Sequence, residues 1–478
     1  MNIVDSILFH CQNDPEAPAI CIPGVDLITY GRLEKAINNI VRRATSAGLL
    51  PGHVVALHVP DKAALHAVLV LGLARLGVIT ATVGARKLPA SFKIDAILSD
   101  GPHVFPGIMT IPVDYSWVEG DGSPLPTPYA AKSSDVTRLI LTSGTTGEAK
   151  AVAWTHDMIL GRIMRYYSVF GNKLPSCSRI FCDMTLATSI GFTFFIYTLC
   201  KGGTFFMRGN NAENTFRALA FYKVDGMVAA PAGLAEFLGY YDQHHYQHVF
   251  DAIVTTGSLL SKPLADRVHG RMSSTVISAY GSAEMGIVAC ASTHRIGPTG
   301  GAVGYITPGM AVEVADESGR LCAAGEEGII RIQGDYMANG YANDRESTGQ
   351  FFRGGWFYPG DTGRLTEDRL LILTGRQNAV LNLGGEKVKP ELIENTLASF
   401  EGGIAAGAFL VTNELGADEI WAAFESALAI DEDKLWQHCR KNLPDFFVPK
   451  KFIAVRKLPR NEMGKLDRKQ LAKIAGLK

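Results

Sequence analysis

From Thr142 to Lys150 the sequence reads Thr-Ser-Gly-Thr-Thr-Gly-Glu-Ala-Lys, with four hydroxyl side chains, two glycines and a lysine in nine residues. A loop of this make-up turns backbone N–H groups and hydroxyls toward an anion, and the lysine adds a movable positive charge. It directly follows the strand-like run Thr137-Arg-Leu-Ile-Leu141. The pattern is not a Walker A motif, which puts glycine before its lysine and Ser or Thr after it. Ala149 and Ala151 occupy those places. Taken alone, the tract is also compatible with a plain surface loop, so its partners elsewhere in the chain decide.

Several such partners are present. Ile253-Val-Thr-Thr-Gly-Ser258 and Thr275-Val-Ile-Ser-Ala-Tyr280 read as strands, the first ending in a turn at Gly257 and Ser258, the second leading into Gly281-Ser282-Ala283-Glu284. Ligands of parallel sheets gather beyond the carboxyl ends of strands. There Tyr280 could stack on a flat ring and Glu284 could hold a hard cation such as Mg²⁺. Asp361 and Arg376 suit a sugar diol, one accepting and the other donating hydrogen bonds; a surface salt bridge is the alternative. Lys465 stands in a glycine turn near the carboxyl end, as a mobile cation or as a solvated lysine of a basic tail. His244, His245 and His248 have metal-like spacing but lie among Tyr and Gln without clustered carboxylates, so a solvated helix end is expected.

These residues need a scaffold of α/β type. The run Ile28–Leu33 leads into a helix through Ala47, with Gly48 beyond its end. Val54–Val59 is a strand, Asp61 an N-cap for a helix from Lys62 to about Gly77, and Val78–Val83 the next strand. Strand–helix–strand repetition predicts a parallel sheet. Residues 102–128, rich in Pro, Gly and Asp, form a surface connection, and Trp154-Thr-His-Asp starts a helix with Thr155 as its cap. Met184–Phe195 is apolar and hydroxylic, either a pocket wall or a core helix. Asp225–Leu234 is rich in small residues. The stretch from Gly301 to Asp361 is β-rich, and from Gln377 the character changes to a strand, a glycine loop and a helix with Pro390 in its first turn.

The 478 residues exceed one small core, and a net charge of −1 gives no reason to expect a nucleic-acid partner. The eight cysteines contain no CxxC pair, which argues against a zinc ribbon or a disulfide framework. The stretch Ala63–Ala85 is broken by His66 and Arg75, so a buried helix and strand are expected rather than a membrane span. The acidic opening Met1–Asp5 is unlike a signal peptide, and a cytoplasmic location is expected.

In order and spacing, these stretches resemble the adenylate-forming superfamily of acyl-CoA synthetases, peptide-synthetase adenylation domains and luciferases. The resemblance rests on residues 142–150, Tyr-Gly-Ser-x-Glu at 280–284, the Trp-Phe-x-x-Gly-Asp run ending at Asp361, Gly375-Arg376, Gly-Gly-Glu-Lys-Val-x-Pro at 384–390, and Pro-x-x-x-x-Gly-Lys ending at Lys465. It implies a large amino-terminal adenylation domain over 1–377, built of α/β subdomains and a β-rich subdomain, and a small mobile α/β domain over 378–478. It also implies roles. Thr142, Ser143, Gly144, Thr145, Thr146, Gly147 and Lys150 would hold the β,γ-phosphates of ATP, with Thr145 taking a catalytic part. Gly257, Ser258, Tyr280, Gly281 and Ser282 would line the nucleotide, and Glu284 would coordinate Mg²⁺. Asp361 and Arg376 would grip the ribose, and Lys465 would neutralise charge between carboxylate and α-phosphate. Asn378 would be the hinge, and Gly384, Gly385, Glu386 and Lys387 would line the coenzyme A channel.

Four departures from the family pattern stand out. Asn378 replaces the usual Asp or Lys, Ala283 a threonine, Thr188 a histidine of many acyl-CoA synthetases, and Ala149 with Ala151 the usual Pro and Gly. Ala187 stands near the aspartate of amino-acid-activating members, and an unpaired ammonium in an apolar site is unfavourable. Ala187, Thr188, Gly191, Ala230, Ala232 and Gly286 imply an uncharged pocket for an alkyl chain or ring. The reaction implied is ligation of an uncharged fatty or aromatic acid to coenzyme A. The alternatives are a stand-alone ligase that loads an acyl carrier protein, and a degenerate member that binds without turnover.

Overall fold

In the computed structural model every residue is described except 61, 84–92, 102–106, 124–128, 144–148, 171–173, 175, 297–300, 378–380, 384–385, 401–403, 413–417, 426–429, 461–465 and 475–478, and the side chains of 143, 149, 382, 383, 386–388, 412, 418, 446 and 469. The helix Ala63–Leu76 is buried from Ala64 through Ala74, which is why its sequence shows no polar face. Gly72 lets it approach the helix Tyr30–Ser46, since a Cβ there would lie 2.5 Å from Ile40. Its last turn closes on Gly77 at φ +81°, a conformation suited to glycine. The helix starts one residue later than expected, and the cap expected at Asp61 falls outside the described residues. No helix among the described residues is long and apolar enough to cross a membrane.

This helix leads from the strand Val54–His58 to Ile79–Thr82 within a sheet ordered Thr110–Pro112, Ala96–Ser99, Val54–His58, Ile79–Thr82, Val136–Ser143, Ala149–Thr155. All neighbours pair in parallel except the last two, which form a hairpin. The expected parallel sheet is therefore present. Trp154 lies in the second hairpin strand, and the helix begins at His156, with the Thr155 hydroxyl accepting from the N–H of Met158 as expected of its cap.

A second, longer sheet is parallel through Thr204–Phe206, Arg179–Cys182, Gly226–Ala229, Ala252–Thr255 and Val276–Ser282. It then turns antiparallel through Gly286–Ser292, Ala302–Ile306, Leu370–Arg376, Asp361–Leu365 and Gly328–Gly334. Positions of both sheets and of the helices between them share one large core, while the second sheet packs its other face and its antiparallel part into apolar clusters of their own. Beyond residue 380, the strands Ala406–Thr412, Asp418–Glu425 and Lys451–Val455 form a sheet with an apolar cluster on each face. The helix Pro390–Ala398 packs on it, its proline in the first turn as expected. The chain thus has a large α/β part with a β-rich part, and a smaller carboxyl-terminal α/β domain.

Candidate functional site

The antiparallel turn after Val276–Ser282 is where the chemistry collects. Asp361 and Arg376 face each other across neighbouring antiparallel strands. Arg376 Nε lies 2.8 Å from an Asp361 carboxylate oxygen, and the Tyr280 hydroxyl donates to the other at 2.6 Å. Asp361 is buried. Burial first, and then the Asp361 charge, hold the Tyr280 phenol well above its ordinary pKa, so it remains a donor. The pair is a salt bridge, as the alternative reading had it, but one with a buried carboxylate, a half-buried guanidinium and a third member.

Glu284 is buried next to this trio, and its carboxylate accepts from the Tyr341 hydroxyl at 2.8 Å. Tyr341 also connects it to the hairpin. Lys150 Nζ lies 3.8 Å from the centroid of the Phe351 ring and 5.2 Å from that of Tyr341. Desolvation lowers the Lys150 pKa, while the charges of Asp344 and Glu284 act against that. Thr142 pairs with Lys150 in the hairpin register and donates its hydroxyl to the Lys150 carbonyl at 3.3 Å. Arg376, Asp361 and Tyr280 thus form one polar group and Glu284, Tyr341 and Lys150 a second; the two adjoin at the 280–284 turn, where the Glu284 charge acts on the Tyr280 phenol.

The Ser282 hydroxyl is buried and has no hydrogen-bond partner among the described residues. A hard carboxylate, an unpartnered hydroxyl and a lysine at one site fit a phosphate-bound cation of the Mg²⁺ type. Nearby, Gly257 has φ +94°, and Ser258 is exposed beside it. Gly281 is exposed, and a Cβ there would press to 2.1 Å from the Gly286 carbonyl oxygen.

The pocket residues meet differently. Thr188 is a helix N-cap: its hydroxyl accepts from the N–H of Gly191 as the helix Ser189–Cys200 begins. Gly191 opens no space, because a Cβ there would sit 2.1 Å from the Thr185 carbonyl oxygen. The room beside Gly286 is filled by Arg162 and Arg165. The expectation that these two glycines leave room for an acid is therefore corrected by close packing. Ala187 lies between the Leu186 carbonyl, which accepts from buried Arg138 at 2.6 Å, and Thr188. Ala230 precedes the helix Pro231–His244, which contains Ala232. The carboxylate closest in sequence, Asp183, is paired with Arg208.

The histidines do not converge. His244 stacks on Tyr240, His245 takes φ +51° at the helix end, and partly buried His248 donates to the Val224 carbonyl at 2.7 Å. His248 is thus not the solvated residue expected. Gly144, Thr145, Thr146, Gly147, Asn378, Gly384, Gly385 and Lys465, with the side chains of Ser143, Glu386 and Lys387, lie outside the described residues.

Sequence reading missed Tyr341 and Arg162. Arg162 is fully buried and donates to the carbonyls of Ala283, Glu284 and Tyr336. One signal was present: Met158, Ile159, Ile163 and Tyr166 form an apolar stripe, and position 162 falls on it. Tyr341 carried no comparable signal, since its partner lies 57 residues away.

The profile of a family described as AMP-binding enzyme matches residues 93–342, just over half of the chain. The chain is 26% identical over 354 residues to a 2-succinylbenzoate–CoA ligase of Geobacillus sp. (strain WCH70), covering 71% of this chain and 69% of that protein. It is 23% identical over 497 residues to a 4-chlorobenzoate–CoA ligase of Arthrobacter sp., covering 98% and 94%. Its fold matches that of the anthranilate CoA ligase AuaEII in complex with anthranoyl-AMP, with a TM-score of 0.86, 19% identity, and coverage of 99% and 97%. With its motifs in register, its two-part fold and this profile in agreement, the chain belongs to the AMP-binding enzyme family of the adenylate-forming superfamily.

Proposed function

We propose that the protein is an ATP-dependent carboxylate–CoA ligase that works through an acyl-adenylate. The observation that carries this reading is the two adjoining polar groups, Arg376–Asp361–Tyr280 and Glu284–Tyr341–Lys150, which suit a ribose at one end and phosphates at the other. A carboxylate is a poor electrophile. In the first half-reaction its oxygen bonds to the α-phosphorus of ATP while the bond from that phosphorus to the β-phosphate bridging oxygen breaks, and pyrophosphate leaves. A thiol sulfur then bonds to the carbonyl carbon, and AMP leaves.

Within this scheme Asp361 accepts from the ribose hydroxyls and Arg376 donates to them. Glu284 would hold Mg²⁺, whose charge stabilises the phosphates. Lys150 and the hairpin loop hold the departing pyrophosphate, and Lys465 neutralises charge at the reacting centre. The substrate would be an uncharged acid. Asp183, already paired with Arg208, offers no free carboxylate to an ammonium. Three of the relatives named above are CoA ligases of aromatic acids, which favours CoA over a carrier protein as acceptor.

The test is ATP–pyrophosphate exchange over a panel of aryl and alkyl acids, with and without Lys465→Ala, followed by addition of CoA or an acyl carrier protein. Exchange with an aromatic acid and release of AMP on adding CoA are expected. Loss of one charge contact in the transition state is worth about 3–4 kcal/mol, so Lys465→Ala should lower exchange by at least a hundredfold. Binding of ATP without exchange for any acid would mark a degenerate member, and thiol transfer only to carrier protein would mark the other ligase class.

A further inference from the structure

The helix His156–Val169, which follows the hairpin, carries an arginine on its apolar stripe. A buried guanidinium is unfavourable unless its donors are satisfied. Here the acceptors are carbonyls. Arg162 Nη1 donates to Ala283 at 2.9 Å, Nη2 donates to Glu284 at 2.8 Å and to Tyr336 at 2.9 Å, and Nε donates to Tyr336 at 3.2 Å. The guanidinium carbon lies 4.8 Å from the centroid of the Trp154 ring, and the Trp154 indole N–H donates to the Ala283 carbonyl at 2.9 Å. Burial lowers the Arg162 pKa to about 10, still well above neutral pH, so the group stays charged.

Arg165, three residues along the same helix, donates to the Met285 carbonyl at 3.1 Å. The carbonyls of 283, 284 and 285 are thus held in succession from one helix face. Tyr336 adopts φ +61°, unusual for a bulky residue, and from there its carbonyl reaches Arg162. Its ring occupies the space beside Gly161.

We propose that Arg162 is a positioning residue for Glu284: by fixing the carbonyls of Ala283 and Glu284 it sets where the Glu284 carboxylate can meet a cation. Arg162 does this through the backbone. The inference rests on Glu284 as the cation ligand. A lysine cannot reproduce it, because one ammonium cannot span three carbonyls as the planar fork does.

The experiment measures Mn²⁺ binding by calorimetry to the enzyme saturated with a non-hydrolysable ATP analogue. Wild type, Arg162→Lys, Glu284→Gln and the double variant are compared, with Tm recorded for each. Loss of an outer partner of a metal ligand typically weakens metal binding 10–100-fold, so Arg162→Lys should weaken Mn²⁺ binding about tenfold. The KM for the acid should stay within about twofold. Residues that act through one another are not additive, so Arg162→Lys should cause less than about a twofold further loss in the Glu284→Gln background. Wild-type Mn²⁺ affinity in Arg162→Lys, or full additivity in the double variant, overturns the positioning role. Unchanged affinity in Glu284→Gln overturns the reading of Glu284 itself. Should Arg162→Lys not fold, Arg165→Lys on the same clamp replaces it: a loss of about threefold is expected there, and wild-type affinity overturns the proposal.

Discussion

Asp361 serves two neighbours at once, accepting from the Tyr280 hydroxyl and the Arg376 guanidinium while itself buried. Hydrogen bonds to charged groups contribute about 1.5–3 kcal/mol. An amide in its place keeps the shape but loses the charge that holds both partners and would hold a diol. Asp361→Asn is therefore expected to raise the KM for ATP at least tenfold and to leave the KM for the acid within twofold. Steady-state kinetics with each substrate varied in turn would expose an error, since an equal rise in both KM values points to general collapse. Lys150 illustrates a different balance: desolvation lowers its pKa, yet Phe351 and Tyr341 offer their ring faces to its ammonium.

At the level of elements, the helix His156–Val169 joins the hairpin on one side to the 283–285 turn and the 335–336 segment on the other. Gly161 is the position where that segment presses closest, and a Cβ there would lie 2.1 Å from the Tyr336 ring. Replacing a helix-interior glycine by alanine ordinarily stabilises by about 1 kcal/mol, but overpacking costs about 1–3 kcal/mol. Gly161→Ala should therefore lower Tm, and Gly161→Ala with Tyr336→Ala should recover more than Tyr336→Ala alone. A higher Tm for the single Gly161→Ala variant would show that the ring moves aside freely. Secondary structure here was largely legible: the Thr155 cap, the Gly48 turn, the end of a helix near Gly77 and the Pro390 start were all visible in the sequence. The second hairpin strand, whose antiparallel pairing continues past Lys150 to Thr155, was not legible, because that pairing depends on a partner strand rather than on local propensity.

At the scale of the whole molecule, the amino-terminal part meets the smaller domain at Lys389. Its ammonium donates to Thr362 at 2.9 Å and to Thr374 at 3.3 Å, and it pairs with Glu327. Lys457 also approaches Glu236, at 3.9 Å, but Lys457 is 78% exposed, and such a pair contributes little. If the small domain rotates between the two half-reactions, the Lys389 contacts belong to only one arrangement. Lys389→Ala should then change the rates of adenylate formation and thiol transfer unequally, by at least about threefold between them, since each such hydrogen bond contributes about 0.5–1.5 kcal/mol. Equal effects on both half-reactions, measured by single turnover, would count against a rotation that breaks these contacts.

The sequence alone determined the superfamily, the α/β class and the identity of Tyr280, Glu284, Asp361 and Arg376 as residues of interest, because each sits in a short motif with its own local signal. Tertiary structure decided what those residues touch. The Tyr280–Asp361 bond spans 81 positions and the Glu284–Tyr341 bond spans 57, and no periodicity encodes such distances. Tertiary packing also decided that Thr188 caps a helix and that Gly191 and Gly286 leave no space, since small residues mark close approach as readily as open room. Arg162 shows the division most clearly: its place on an apolar stripe was written in the sequence, but its meaning came only when the fold brought three carbonyls to one guanidinium.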